Sequence, residues 1–554
     1  MPARCLAACV VAILSLLAQG CEPSAGSGVT APPSKRTAST QSANVPGKKN
    51  GAAQKGPKPK TAVETQNGDD DADDEVDSFD ADDAERGEGK PAIRDSYRAV
   101  DAVAAEIVEG LRLRGVLVVW LVDATSSAAT LRKEVVERLA TTCPKLEASA
   151  KRLAKPHPLR WAAVSFGKEA RFLLSEPTAD GKQLVGALDS LEQDESGVEN
   201  TFAAVEAAAD RFLGGGQAKG AAQKAGKTFV IFVVVTDEVG DDANLVDALA
   251  QRLEQAVVPV YTIGPAAPFG NELSLAPVIE VENLQQIRQG PESRYPEFVP
   301  PPAGDPSRHA ARLDSGCGPF ALTYLARRTA GNSFIVRSDA GWEYRGLRVG
   351  PESDVVRFDP RVVATHLPDY VSEAEYQQLM AENKARMAVH RAATLPKVTI
   401  PPELKREFGA GDAAVLKRQL DDAQRGVAKL QPQLRKVYDV IAAGESDRAR
   451  LKSPRWQAEF DLAMGCVLAA RAHWEGYNSM LAVLKNKGTF TRPESTRWVL
   501  VEAEGFTDDS SLNRLAGQSR KYLERVVSEH AGTPWAWLAE RELAIPMAWK
   551  WEER

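Results

Sequence analysis

G-V-L-V-V-W-L-V-D-A-T-S-S, Gly115 to Ser127, is a run of apolar residues that stops at a carboxylate and two hydroxyls. Its apolar part is short, continuous and mostly β-branched, as in a strand covered on both faces of a parallel sheet. Asp123 stands where the strand ends, with Thr125 and Ser127 spaced two apart behind it. Open α/β sheets bind ligands at the carboxyl ends of their strands. An Asp with two hydroxyls at such an edge offers hard oxygen donors, which suit Mg2+, Mn2+ or Ca2+.

Outward from this strand, helical and strand patterns alternate from about 94 to 337. A helix is expected over 131–153, strands at 159–166 and 171–175, and helices near 182–192 and 200–213. After a Gly/Ala/Lys loop comes T-F-V-I-F-V-V-V-T (228–236), which ends at Asp237. A helix at 243–257 and a strand at 258–264 follow. Such alternation predicts a doubly wound, mainly parallel α/β sheet with helices on both faces. Residues 265–316, rich in Pro, Gly and Asn, read as a loop inserted before a closing helix and strand at 318–337.

The chain has 554 residues and 43% hydrophobic content, enough for two or three folded units. Its net charge of -7 argues against a general nucleic-acid binder. Residues 1–20 combine Arg4 with an apolar stretch of signal-peptide length, and A-Q-G-C ends at Cys21. Small residues before a cysteine resemble the lipidation site of bacterial lipoproteins, with Leu17 one place earlier than usual, so Cys21 is the expected lipidation site. Residues 21–92 are polar and almost free of aromatics, as in a disordered tether, with an acidic run at 69–85. As a random coil this tether would reach on the order of 45 Å. Cys143, Cys317 and Cys466 have neither a disulfide nor a metal spacing and read as small core residues.

The α/β domain is expected over 93–340, followed by an irregular connector with a helix (341–410) and an all-α helical domain (411–554). Helical runs at 411–443, 455–486 and 511–531 suggest a bundle or hairpin array, its end similar to a tetratricopeptide hairpin. Seven of the ten tryptophans follow residue 450, which argues for a packed core there. Trp535, Trp537, Trp549 and Trp551 read as core packing or as an aromatic surface. The six histidines are scattered, and no zinc-binding, phosphate-loop or serine-hydrolase motif occurs.

D-x-T-x-S at 123–127 resembles the D-x-S-x-S that opens the metal-ion-dependent adhesion site of von Willebrand factor A domains. The resemblance covers roughly 240 residues and implies a Rossmann-like fold with a divalent ion, Mg2+ or Mn2+, held by three loops at one sheet edge. It assigns Asp123, Thr125 and Ser127 to the first loop and Asp237, in T-D-E where the family usually has T-D-G, to the third. The second loop of the family carries G-G-T-x-T; here G-V-E-N-T places Glu199 at the ligand position and Thr201 at the second threonine. A third carboxylate within about 5 Å of two others raises the pKa of at least one of them. With a metal bound it would neutralise the cation and make it a poorer acceptor for an acidic partner. Alternatively, the Asp and hydroxyls hold no metal and only cap helices and turns.

The expected function is that of a non-catalytic cell-envelope protein, secreted and lipid-anchored to a membrane, that binds another protein through this modified site. The alternative is a structural or assembly scaffold with a metal-free domain, whose helical region binds partners. A metal-dependent hydrolase has less support, because no nucleophile or base stands apart from the ligands.

Overall fold

All nine residues of Gly115–Asp123 (β1) are buried, because each face of the strand meets a different layer of helices. Val116, Val118, Trp120 and Val122 pack toward the helices Asp95–Leu113 (α1), Ala129–Arg152 (α2) and Gly181–Asp189 (α3). Leu117, Val119 and Leu121 pack toward Thr201–Leu213 (α4) and the helices Val246–Gln255 and Phe320–Arg328. A continuous apolar run is thus an alternating strand with two apolar faces.

The structure, a computed structural model, describes residues 95–214, 228–270, 292–302, 312–337, 342–344, 347–349, 355–396, 398, 404–409, 411–487, 490–506 and 509–554. The expected signal peptide, Cys21, the tether with its acidic run, and parts of 265–316 lie outside these residues. The described residues fall in one compact unit, Glu75–Arg554.

The other strands are Leu159–Phe166 (β2), Arg171–Phe172 (β3), Thr228–Val235 (β4), Val260–Gly264 (β5), Arg312–Leu313 (β6), Ser333–Ile335 (β7), Trp342–Tyr344 (β8), Leu347–Val349 (β9), Val355–Val356 (β10), Glu407–Gly409 (β11), Arg497–Ala503 (β12) and Ala548–Glu553 (β13). The main sheet has the order β3-β2-β1-β4-β5-β7. All its pairings are parallel except the β2–β3 edge. The fold is therefore the mainly parallel, doubly wound sheet expected from the sequence. The amide of Arg337, just past β7, donates to Asp95 Oδ2 (3.3 Å), so α1 begins at the carboxyl edge of this sheet.

Many helices follow, but the C-terminal region also holds an antiparallel sheet, β11-β12-β13, that the helical reading did not include. In A-W-K-W-E-E the tryptophans alternate with charged residues, a period of two suited to a strand. Trp549 is buried, and Trp551 lies opposite Leu500 of β12. The run expected at 411–443 is two helices, Ala413–Ala428 and Gln431–Ala442, the second with a proline in its first turn. Trp535 is buried on the helix Pro534–Leu543.

The described part of 265–316 is stitched to the long helix Pro454–Lys487. Phe269 meets Trp535 edge-on at 4.7 Å and Phe298 at 5.2 Å. Proline-rich chain lacks ladder partners, so its polar groups find side chains instead. The Val299 amide donates to Glu459 Oε1 (2.8 Å), and Trp535 Nε1 donates to Glu459 Oε2 (2.7 Å). Arg455 donates from Nε to Glu297 Oε2 (2.7 Å) and from Nη2 to Glu292 Oε1 (3.4 Å). All four of these charged residues are buried, and burial pushes Glu459 up to about 8 and Glu292 up to about 7.

One guanidinium thus faces three buried carboxyl groups, and removing it takes away the charge that answers theirs. Arg455→Ala is expected to cost about 3–5 kcal/mol, read as a lower urea midpoint of unfolding. A loss under about 1 kcal/mol would show that the pairing carries no such weight.

Candidate metal centre

Parallel pairing sets Val122 opposite Val235, so the next residues on the two strands, Asp123 and Thr236, meet at the carboxyl edge. Thr236 Oγ1 donates to Asp123 Oδ2 (2.7 Å). The chain then turns so that the Thr125 amide (2.8 Å) and hydroxyl (2.7 Å) both donate to Asp123 Oδ1. Thr125 Oγ1 lies 3.0 Å from Ser127 Oγ, which donates to Asp237 Oδ1 (3.2 Å). Arg132 of α2 fastens the turn from behind, donating from Nη1 to the carbonyls of Asp123 (2.7 Å) and Thr125 (3.1 Å).

Loop two is held by loop three. The Asp241 amide donates to the Glu199 carbonyl (2.8 Å), and the Glu199 amide donates to Asp241 Oδ2 (3.1 Å). Asp242 takes the place of a cap for α4: its Oδ1 accepts from the Phe202 amide (3.1 Å) and its Oδ2 from the Ala203 amide (2.6 Å). Asn200, at the N-cap position, makes no side-chain cap bond. Gly240, with φ of +87°, brings loop three against Thr201, and a Cβ there would sit 3.1 Å from the threonine Oγ1.

The result is a buried acidic triad. Asp123, Glu199 and Asp237 expose 0%, 6% and 7% of their surfaces, and each offers a carboxylate oxygen within 4.8 Å of the others. Burial, reinforced by the charges of Asp123, Glu238 and Asp237, pushes Glu199 up to about 9. Burial and the neighbouring Asp123 and Glu238 push Asp237 up to about 7. Asp123 is also raised by burial, against the opposing pull of its bonds from Thr125 and Thr236 and of the Arg132 charge.

The fit to a cation rests on orphaned acceptors. Glu199 Oε2 and Thr201 Oγ1 are buried without a hydrogen-bond partner. Such atoms cost free energy unless a donor, a water or a cation meets them. The structure brings together Asp123, Thr125, Ser127, Glu199 and Asp237; Thr201 stands at the start of α4 beside Gly240 with its hydroxyl unpaired. Thr236, Arg132, Asp241 and Asp242 were not singled out from sequence. Only Thr236, next to Asp237, carried a local signal.

Residues 118–299 match the family model described as von Willebrand factor type A domain. The chain contains an A-type domain. Among solved structures it is similar to an aerotolerance-related membrane protein from Bacteroides fragilis, at 17% identity over 40% of this chain and 92% of that one (TM-score 0.23). It is also similar to the vWF domain of the type V pili tip protein Mfa5 from Porphyromonas gingivalis, at 14% identity over 52% and 99% (TM-score 0.21). A third similar structure is proximal thread matrix protein 1 from the mussel byssus with zinc occupied MIDAS motif, at 14% identity (TM-score 0.21). The match covers 28% of this chain but spans only 37% of the mussel protein. No curated protein matches the chain.

A metal bound at the triad of the A-type domain would have to displace protons from Glu199 and Asp237, because burial and neighbouring charges raise both. Divalent affinity is expected to rise roughly tenfold or more from pH 6 to pH 8, with proton release in calorimetry. Without metal the sign reverses for stability. The folded state keeps protons that the unfolded chain has lost, so stability falls as pH climbs from about 4.5 toward 9. Asp242→Ala should cost about 1–2 kcal/mol by uncapping α4, measured by denaturant titration.

Proposed function

We propose that this is a non-catalytic cell-envelope protein that binds another protein through the carboxyl edge of its A-type domain. Asp123, Thr125, Ser127, Glu199 and Asp237 hold a divalent ion there, Mg2+ or Mn2+, and Thr201 backs them. The observation that carries the reading is the buried triad with its unpartnered Glu199 oxygen. Hard carboxylate and hydroxyl oxygens suit these ions. The bound ion supplies positive charge and fixes the three loops in one arrangement. Every carboxylate of the triad is used as a ligand, which leaves none of the three as a separate base and speaks against hydrolysis.

Placement in the envelope rests on the signal-like start and on Cys21 as a lipidated anchor to the membrane. No helix of the described residues is long and apolar enough to cross a membrane.

A second reading is a metal-free scaffold whose helical region binds partners. It is favoured by the bonds that satisfy both oxygens of Asp123 from within the protein. Calorimetry on the full chain at pH 8 separates the two. Binding of Mg2+ or Mn2+ that is abolished by Asp123→Ala and by Asp237→Ala supports the metal centre. No binding, or equal binding by both variants, leaves the scaffold. Partner capture from envelope extracts should then fall at least tenfold in EDTA if the metal face is the binding surface.

A further inference from the structure

The charges around the metal face define the chemistry of its partner, given the reading of that face as the interaction surface. The triad supplies three carboxylates within 4.8 Å. A divalent ion cancels two of these charges. Arg132 answers the third, but its guanidinium is turned inward onto the carbonyls of Asp123 and Thr125. Among the described residues of the floor, no positive group is left over to receive an acidic one. The acceptors Glu199 Oε2 and Thr201 Oγ1, buried and unpartnered, point the same way: oxygens of this kind suit a cation better than an anion.

The rim continues the pattern. Glu238 is half-buried and lies close enough to act on both Glu199 and Asp237. Asp241 is exposed while its carboxylate braces the Glu199 amide. On the other side Asp194 forms a backbone bridge with Thr125, and exposed Glu195 follows it. The exposed Lys168 near this rim is followed directly by exposed Glu169. A surface of one sign attracts the opposite sign, with association that weakens as salt rises.

We propose that the carboxyl edge of the A-type domain docks a lysine- or arginine-bearing segment of a partner protein. The loaded metal centre forms a charge-neutral floor, and Glu195, Glu238 and Asp241 are the anions that meet the partner. Glu199 sets this preference, because its carboxylate is the third negative charge, the one that a divalent ion alone does not cancel.

The test uses the full chain in Mg2+ and a decalysine peptide carrying a photoreactive group, with crosslinks mapped by mass spectrometry. The acidic run at 69–85 serves as an internal control for unspecific attraction. Labelling is expected within 194–199 and 237–242, and should fall at least tenfold in the double variant Glu195→Lys, Glu238→Lys while labelling at 69–85 is kept. A decaglutamate probe should leave these loops unlabelled. Labelling confined to 69–85, loop labelling indifferent to the double variant, or decaglutamate labelling as strong as that by decalysine would overturn the proposal. Metal titration of the same protein keeps the two readings apart: a chain that binds Mg2+ but leaves decalysine off the loops retains its metal centre and loses its basic partner.

Discussion

The parallel register between Gly115–Val122 and Thr228–Val235 is the constraint on which the rest of the structure depends. Because Val122 faces Val235, two chain segments more than a hundred residues apart end side by side. Their next residues are an aspartate and a threonine that bond at 2.7 Å. A slip of one residue would turn every valine of β4 to the opposite face and separate these groups. Burial on both faces makes such a slip costly, so apolar packing of the strands holds the polar edge in place.

That edge in turn concentrates charge where water is scarce. Asp241 and Asp242 lock loop two to loop three through backbone amides, not through the acids of the triad. The three carboxylates therefore stay close although they repel one another. Protons relieve the repulsion in the absence of metal, and a divalent ion would do so in its presence. Protons and metal thus compete for the same oxygens.

Much of this was legible in the sequence. The valine run, its terminal Asp123 and the matching run before Asp237 gave the strands, their parallel order and two of the three loops. Glu199 was readable only by aligning G-V-E-N-T with a family pattern, since nothing local marks a glutamate as buried. Arg132, Asp241 and Asp242 were not readable, because their partners are backbone groups supplied by tertiary contact. The same holds for Trp549 and Trp551: an aromatic end reads equally as a helix face until β12 appears beside it. The segment 292–302 looked like a loop because prolines forbid ladders. Its bonds to Arg455 and Glu459 come from a helix more than 150 residues away.

The first helix has a mechanical meaning. α1 starts at Asp95, whose carboxylate takes the Arg337 amide at the carboxyl edge of the sheet, the edge that also carries Asp123. The chain entering at residue 95 and the face that would hold a partner therefore lie at the same end of the domain. A pull between them acts on the start of α1, which packs on one face of the sheet, and on the end of β1. Because both points of attachment sit at one end, such a pull would peel α1 from the sheet turn by turn from that end, and the hydrogen bonds of β1 to its two neighbours would stay out of shear.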